Sequence, residues 1–280
     1  MVFKGVLIVL GGFLFIFSSG VPMRLIAQYR PDYRREGLYW GIGIWILAFF
    51  ITNFLINLAR QIISGSLGAP QSASSPFSIL TYLLGAVITT LALQIGMRIF
   101  LKQRQAKGED ALNYGLAMGF GIGLIAQVFT GMILITTGAG VIFKGAGLAL
   151  AGADLRTEMV EMVAAQPLGA VLAALAALVL FRVALLTVSA VQGYLVAGSA
   201  LGKKSDFWLA AAVYTAFVWV ILLIQLAAGI QNPGQVSLGV TPAWVSILTA
   251  CYYLIAFALG YRWLTGALKA AQPKKAQKRR

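Results

Sequence analysis

The sequence predicts an all-α integral membrane protein, a polytopic bundle of about seven transmembrane helices with its N-terminus outside and its C-terminus inside. Three observations carry that expectation. Hydrophobic residues make up 60% of the 280. They gather into segments near the length of about 20 residues that crosses a bilayer core. The basic residues between segments fall mainly on alternate connections. Continuous apolar runs specify helices over a barrel, whose strands are shorter and alternate, and an open sheet cannot satisfy its backbone in lipid.

The first segment, Gly5 to Met23, follows Lys4 and contains Ser18, Ser19 and Gly20. It has the outline of a signal peptide, but it reaches spanning length and strong basic charge follows it, so it reads as a retained helix. Leu38 to Leu58 is the second. The connection from Arg60 to Phe77 is rich in Gly, Ser, Ala and Pro, the composition of a flexible outer loop. Ser78 to Leu101 and Ala111 to Thr136 come next. In the following outer connection, Leu155, Met159, Met162 and Val163 recur at helical spacing opposite Asp154, Glu158 and Glu161. This short amphipathic helix is expected to lie on the outer membrane surface or cap the bundle, with contact to an extracytoplasmic partner as a sharper role. Leu168 to Ala200 would reach about 50 Å as a straight helix at 1.5 Å per residue, so it must tilt, protrude or break. Phe207 to Ile230 and Pro242 to Leu264 complete the set. Residues 1–271 form one polytopic domain and residues 272–280 a basic cytoplasmic tail.

The formal charge of +14 is distributed by topology. Seven spans with the N-terminus outside put fifteen basic residues inside: Arg24, Arg30, Arg34 and Arg35, then Lys102, Arg104 and Lys107, then Lys203 and Lys204, then six from Lys269 onward. Lys4, Arg60, Lys144 and Arg156 are the four outside. That bias orients the chain in a cell membrane and makes a nucleic-acid partner unnecessary. In the tail, Lys274, Lys275, Lys278, Arg279 and Arg280 suit anionic headgroups at roughly 1 kcal/mol each near the surface. The plainer role for them is a topology anchor.

All eight carboxylates lie outside the apolar segments, histidine is absent, and Cys251 is the single cysteine. The membrane interior therefore lacks the acids and histidines that mark proton relays, and no set of metal ligands is expected. No cofactor is expected either.

The polar residues within the segments carry what remains. Thr90, Gln94 and Arg98 recur every four residues and form a stripe on one helical face. Arg98 is one turn from the inner end, where it either snorkels to headgroups or turns inward. Gln94 is deeper and must find hydrogen-bond partners in the bundle. Gly115, Gly119 and Gly123, with Gly121, let another backbone approach closely. A phosphate-binding glycine loop is excluded, because that device needs a strand before its helix. Arg182 sits near the middle of its apolar run with Ser189 and Gln192 roughly on its face. A central arginine costs at least about 2.5 kcal/mol, and no span supplies an acid. Internal hydrogen bonding to backbone carbonyls comes first among its possible partners, ahead of an anion, a lipid headgroup or another subunit's carboxylate.

At these residues the chain resembles the YhfC family of proposed intramembrane proteases, related in fold to the CAAX-processing and PrsW-type membrane proteases. The family carries an EExxR element, a Gly-His-Gly-Gly element ending in Glu, then Glu-Arg and His-Ala elements. Here Gln94 and Ile95 precede Arg98, GLAMGFGI starts at Gly115, Phe181 precedes Arg182, and Tyr214, Thr215 and Ala216 fall in the sixth segment. The resemblance implies that Gln94 and Ile122 replace glutamates and that Met118 and Thr215 replace histidines, while the arginines and glycines are kept. None of the replacements can shuttle a proton near neutral pH. The implied function is a catalytically silent scaffold or binding subunit for a membrane partner or lipid. Its expected surroundings are the lipid bilayer and, as a further candidate, another membrane protein. A transporter or permease component is the alternative, supported by Asn53, Asn57, Gln94, Gln127, Gln192 and Gln225 on several segments but lacking intramembrane acids or a visible repeat. An active protease is third.

The charge asymmetry predicts a cytoplasmic tail. A cytoplasm-active fluorescent reporter fused after Arg280 and a periplasm-active phosphatase inserted after Gln231 should both be active. A dark tail reporter together with an active phosphatase after Lys204 would reverse the orientation.

Overall fold

The computed structural model describes residues 1–28, 35–67, 76–145, 160–161, 163–228 and 242–270. The element order is α1 (Val2–Phe17), α2 (Gly20–Ala27), α3 (Arg35–Leu67), α4 (Pro76–Gln103), α5 (Gly108–Gly145), α6 (Leu168–Ala200), α7 (Lys204–Ala227) and α8 (Ala243–Ala270), with no strand among the described residues. Six spans are long and apolar enough to cross a membrane, α1 and α2 together making the first. The remaining apolar segment, Ala111 to Thr136, lies within the 38-residue α5. This helix runs antiparallel to both α1 and α6: Gly5 meets Gly138 and Gly12 meets Gly131, while Gly115 meets Gly193 and Gly123 meets Leu186.

The first segment is not one straight helix. The hydroxyls of Ser18 and Ser19 bond back to the carbonyls of Phe15 and Ile16 at 2.8 and 2.7 Å, and Val21 N–H bonds to Ser18 O at 3.1 Å in a tighter turn. Pro22 then has no N–H to restore the ladder. The fifth segment does not break: α6 is continuous for 33 residues. It begins after Pro167 and ends in a turn where Gly202 takes φ 106°, a conformation open to glycine, and Leu201 N–H closes on Ala197 O. It is the most buried of those six spans and packs against α1, α2, α4, α5, α7 and α8.

Glycine sets the spacing around α5. A Cβ at Gly119 would collide with the Ser189 carbonyl, one at Gly193 with the Gly115 carbonyl, and one at Gly41 with the Met118 carbonyl. The packing role expected of Gly115, Gly119 and Gly123 is thus seen against α6, and Gly121 serves the same purpose against Leu38 of α3. Close backbone approach replaces side-chain bulk, as suits helices that gain nothing from leaving water.

The described acids Glu36, Glu109, Asp110, Glu161 and Asp206 are at helix starts or in the outer cap, consistent with their exclusion from the apolar segments. Glu36 accepts from Arg104, in the turn just after α4, and, at 3.2 Å, from the Tyr114 hydroxyl of α5, tying the ends of α3, α4 and α5 together. At the opposite end, residues 160–161 and 163–165 are helical, Val160 and Val163 are buried in a second apolar cluster with Ile8, Phe15 and Val141, and Ala164 is buried beside them in sequence. The described end of the amphipathic segment thus packs onto the bundle; its residues Asp154, Leu155, Glu158, Met159 and Met162 lie outside the described residues. Lys4 donates to the carbonyls of Ala164 and Gln166. Lys144 donates to Glu161 at 2.8 Å and holds that carboxyl below its ordinary pKa through the hydrogen bond and its charge. That exposed pair is intact above the ordinary carboxylate range and weakens as pH falls through it. Cys251 is exposed on α8.

Gly119→Ala and Gly193→Ala should each lower stability by about 1–3 kcal/mol, because the new methyl meets a backbone carbonyl that cannot step aside. Gly266→Ala, with open space around its Cβ position, should be neutral or stabilising by up to about 1 kcal/mol. Thermal unfolding of the three purified variants in one detergent checks the contrast.

Candidate functional site

Helix α4 places Thr90, Gln94 and Arg98 on one face, and α7 answers with Thr215, Ala211 and Phe207 at the same four-residue spacing. Thr215 Oγ1 donates to Thr90 Oγ1 at 3.2 Å, and the Arg98 guanidinium lies over the Phe207 ring at 5.6 Å. The antiparallel register between those two contacts sets Ala211 opposite Gln94. On the same broad face of α7, Ser189 of α6 faces the buried Tyr214 hydroxyl, although its Oγ makes no hydrogen bond of good geometry. That second register brings Gln192 to the depth of Ala211 as well. Two amides from neighbouring helices thus sit at the level of one small side chain.

Both amides are 0% exposed. Neither Oε1 nor Nε2 of Gln94 has a hydrogen-bond partner, and the same holds for Gln192. The expectation that Gln94 finds partners in the bundle is corrected here. The hydroxyls within reach along its face are already engaged, since Thr90 donates to Ala86 O at 2.7 Å and receives from Thr215. Its neighbours Leu93 and Met97 belong to the main apolar cluster, as do Met118 and Ile122 of α5, which are wholly buried. Each unpaired buried polar group costs about 1–3 kcal/mol.

Arg98 follows neither of its two expected readings fully. It is half-buried, stacked on Phe207, and its Nε is enclosed without a partner.

Arg182 is 1% exposed. Its Nη1 donates to Gly123 O at 2.9 Å and Leu124 O at 3.3 Å, and its guanidinium lies 5.7 Å from the centroid of the Phe15 ring. Backbone carbonyls are thus its partners, as the sequence favoured. Gly123 permits this, because a Cβ there would press on Leu186 at 2.9 Å. The ten residues from Arg182 to Gln192 correspond to about 15 Å along α6, so the structure separates this arginine from the Gln94 level. Of the positions named by the resemblance, Gln94, Arg98 and Thr215 share one helix interface, Met118 and Ile122 line the adjoining core, and Arg182 forms a second polar level nearer the outside.

Ala211 and Tyr214 were not singled out as site residues by sequence. The four-residue spacing of Phe207, Ala211 and Thr215 was available as a signal, but small and aromatic residues carry no polar mark. The basic cluster Lys274, Lys275, Lys278, Arg279 and Arg280 lies outside the described residues, as does the side chain of Gln127. No group of three or more metal-ligating side chains occurs among the described residues. No family model, no curated protein and no solved structure matches the chain.

The carbonyls that receive Arg182 already accept the helical bonds of α5, so Arg182→Leu orphans no partner. It should range from neutral to about 2 kcal/mol stabilising. Gly123→Val should be clearly destabilising, by about 1–3 kcal/mol. Thermal midpoints in a common detergent decide; a collapse of Arg182→Leu would mean that the cation itself holds α1, α5 and α6 together.

Proposed function

We propose that this protein is a membrane-embedded binding subunit, a catalytically silent relative of the YhfC-like intramembrane protease fold, that engages a polar group of a membrane partner or lipid through its interior. The observation that carries this reading is the pair Gln94 and Gln192, whose four amide atoms are buried and unpaired, and which the helix registers bring to one level. Amides that merely filled space would be replaced at a gain by leucine, so two of them at one level point to use. Each offers both a donor and an acceptor and neither ionises, which suits recognition of a neutral hydrogen-bonding group and not proton transfer.

A transport path has weaker support. The two amides share a level and do not form a series across the bilayer, while Asn53 and Asn57 are exposed on α3. Gln225 already has an interaction of its own.

The test joins stability to binding. The double variant Gln94→Leu/Gln192→Leu should be at least as stable as the parent, since it removes groups that cost about 1–3 kcal/mol each. A photoreactive benzophenone at Ala211, activated in living cells, should give a discrete protein or lipid adduct by mass spectrometry, and the double variant should lose it. An identical adduct pattern in both proteins would defeat the reading, as would the absence of any adduct in the parent.

A further inference from the structure

Helix α3 is the least buried of the six spans. Its inner side is used: Gly37 and Gly41 approach Tyr114, Ala117 and Met118 of α5, and Thr52 accepts a bond from Thr89 of α4 at 3.0 Å. On the opposite side lie Gly43, Ile46, Phe50, Asn53 and Asn57, all exposed, with Phe50 at 65%. Nothing lies within 4 Å of where a Cβ on Gly43 would be.

Asn53 is the anomaly. One amide hydrogen returns to Phe49 O at 2.8 Å, and the carbonyl oxygen and second N–H face outward. From Leu38, the inner end of the apolar segment, Asn53 is about 22 Å along the helix. That depth falls inside a hydrocarbon layer of about 30 Å, where a polar group without a partner is unfavourable. Asn57 is one turn closer to the outer surface.

We propose that this face is a homodimer interface, on which a second copy of the chain docks its own α3 about a two-fold axis along the membrane normal. Two copies inserted the same way present the same residue at the same depth, so residues near the axis meet their equivalents and must be self-complementary. An amide is self-complementary, being donor and acceptor at once; a lysine or a glutamate is not. No charged residue occurs on α3 from Gly37 to Ala59. The alternating spacing of three and four from Gly43 to Asn57 keeps one seam toward a partner helix crossing at about +20°, and an asparagine in such a seam fixes register. Gly43 lets the inner halves approach, and Phe50 provides contact area between the glycine and the amide. This interface does not depend on the Gln94 and Gln192 reading.

The experiment counts chains. Fluorescently labelled full-length protein, diluted over a wide range of lipid ratios in liposomes, should bleach in two steps at high protein-to-lipid ratio and in one at low. Asn53→Leu should unfold thermally like the parent but weaken the dimer roughly 3- to 30-fold, the value of one or two interhelical polar contacts in lipid. In a Cys251→Ser background, which removes the only thiol, Phe50→Cys should oxidise to a covalent dimer. Ile247→Cys, 57% exposed on α8, should not. Single-step bleaching of the parent at every ratio overturns the proposal, including the case in which a different membrane protein covers α3 in cells. So does an Asn53→Leu dimer as tight as the parent's, or equal cross-linking at Ile247→Cys.

Discussion

The close approach of backbones around α5 is the constraint on which the rest of the architecture depends. In lipid there is no hydrophobic gain from bringing apolar helices together, so association rests on contact and on interhelical polar bonds. Helix α5 solves this with glycines on three sides, at Gly115 and Gly119 toward α6, Gly121 toward α3, and Gly131 and Gly138 toward α1. Where helices touch through glycine, carbonyl oxygens come within reach of a neighbour's side chain. Gly123 shows the link: the missing Cβ both admits α6 and leaves its carbonyl open to Arg182.

The second theme is incomplete polar satisfaction. Arg182 finds carbonyls and an aromatic face, yet its Nε has no partner. Ser189 and the two interior glutamines are also unpaired, on α6 and on the α4 face that meets α7. Of the six described residues with such atoms, Arg182, Ser189 and Gln192 lie on α6, Gln94 and Arg98 on α4, and Asn113 on α5. A bundle selected only for stability would hold leucine at these sites; natural proteins keep such costs where something is gained by them.

Much of the fold was legible in the sequence because the bilayer imposes a length on every apolar run, and because glycines at four-residue spacing have one obvious use in a membrane. The break between Phe17 and Gly20 was not read, since it arises from two serine hydroxyls turning back on their own helix before Pro22. The continuity of α6 across 33 residues was not decided either, because length alone allowed three outcomes. For the site, the stripe of Thr90, Gln94 and Arg98 was visible as periodicity, but not what α7 would set against it. Periodicity gives a face, and only the packing of the neighbouring helix tells whether that face is satisfied. Gln94 illustrates this, its expected partners being hydroxyls already engaged elsewhere.

The outer clasp formed by Lys4 has a bearing on biogenesis. Its acceptor on Ala164 lies 160 residues away in sequence, and the glycine contacts of α1 with α5 involve Gly131 and Gly138. At translation speeds of about 5–20 residues per second, the first helix waits roughly 8–32 s in the bilayer before its clasp partner has been synthesised. During that interval the aromatic ring of Phe15 and the glycines of α1 face lipid or the insertion machinery. The contacts of α1 are thus completed only after three further helices, α3, α4 and α5, have been synthesised.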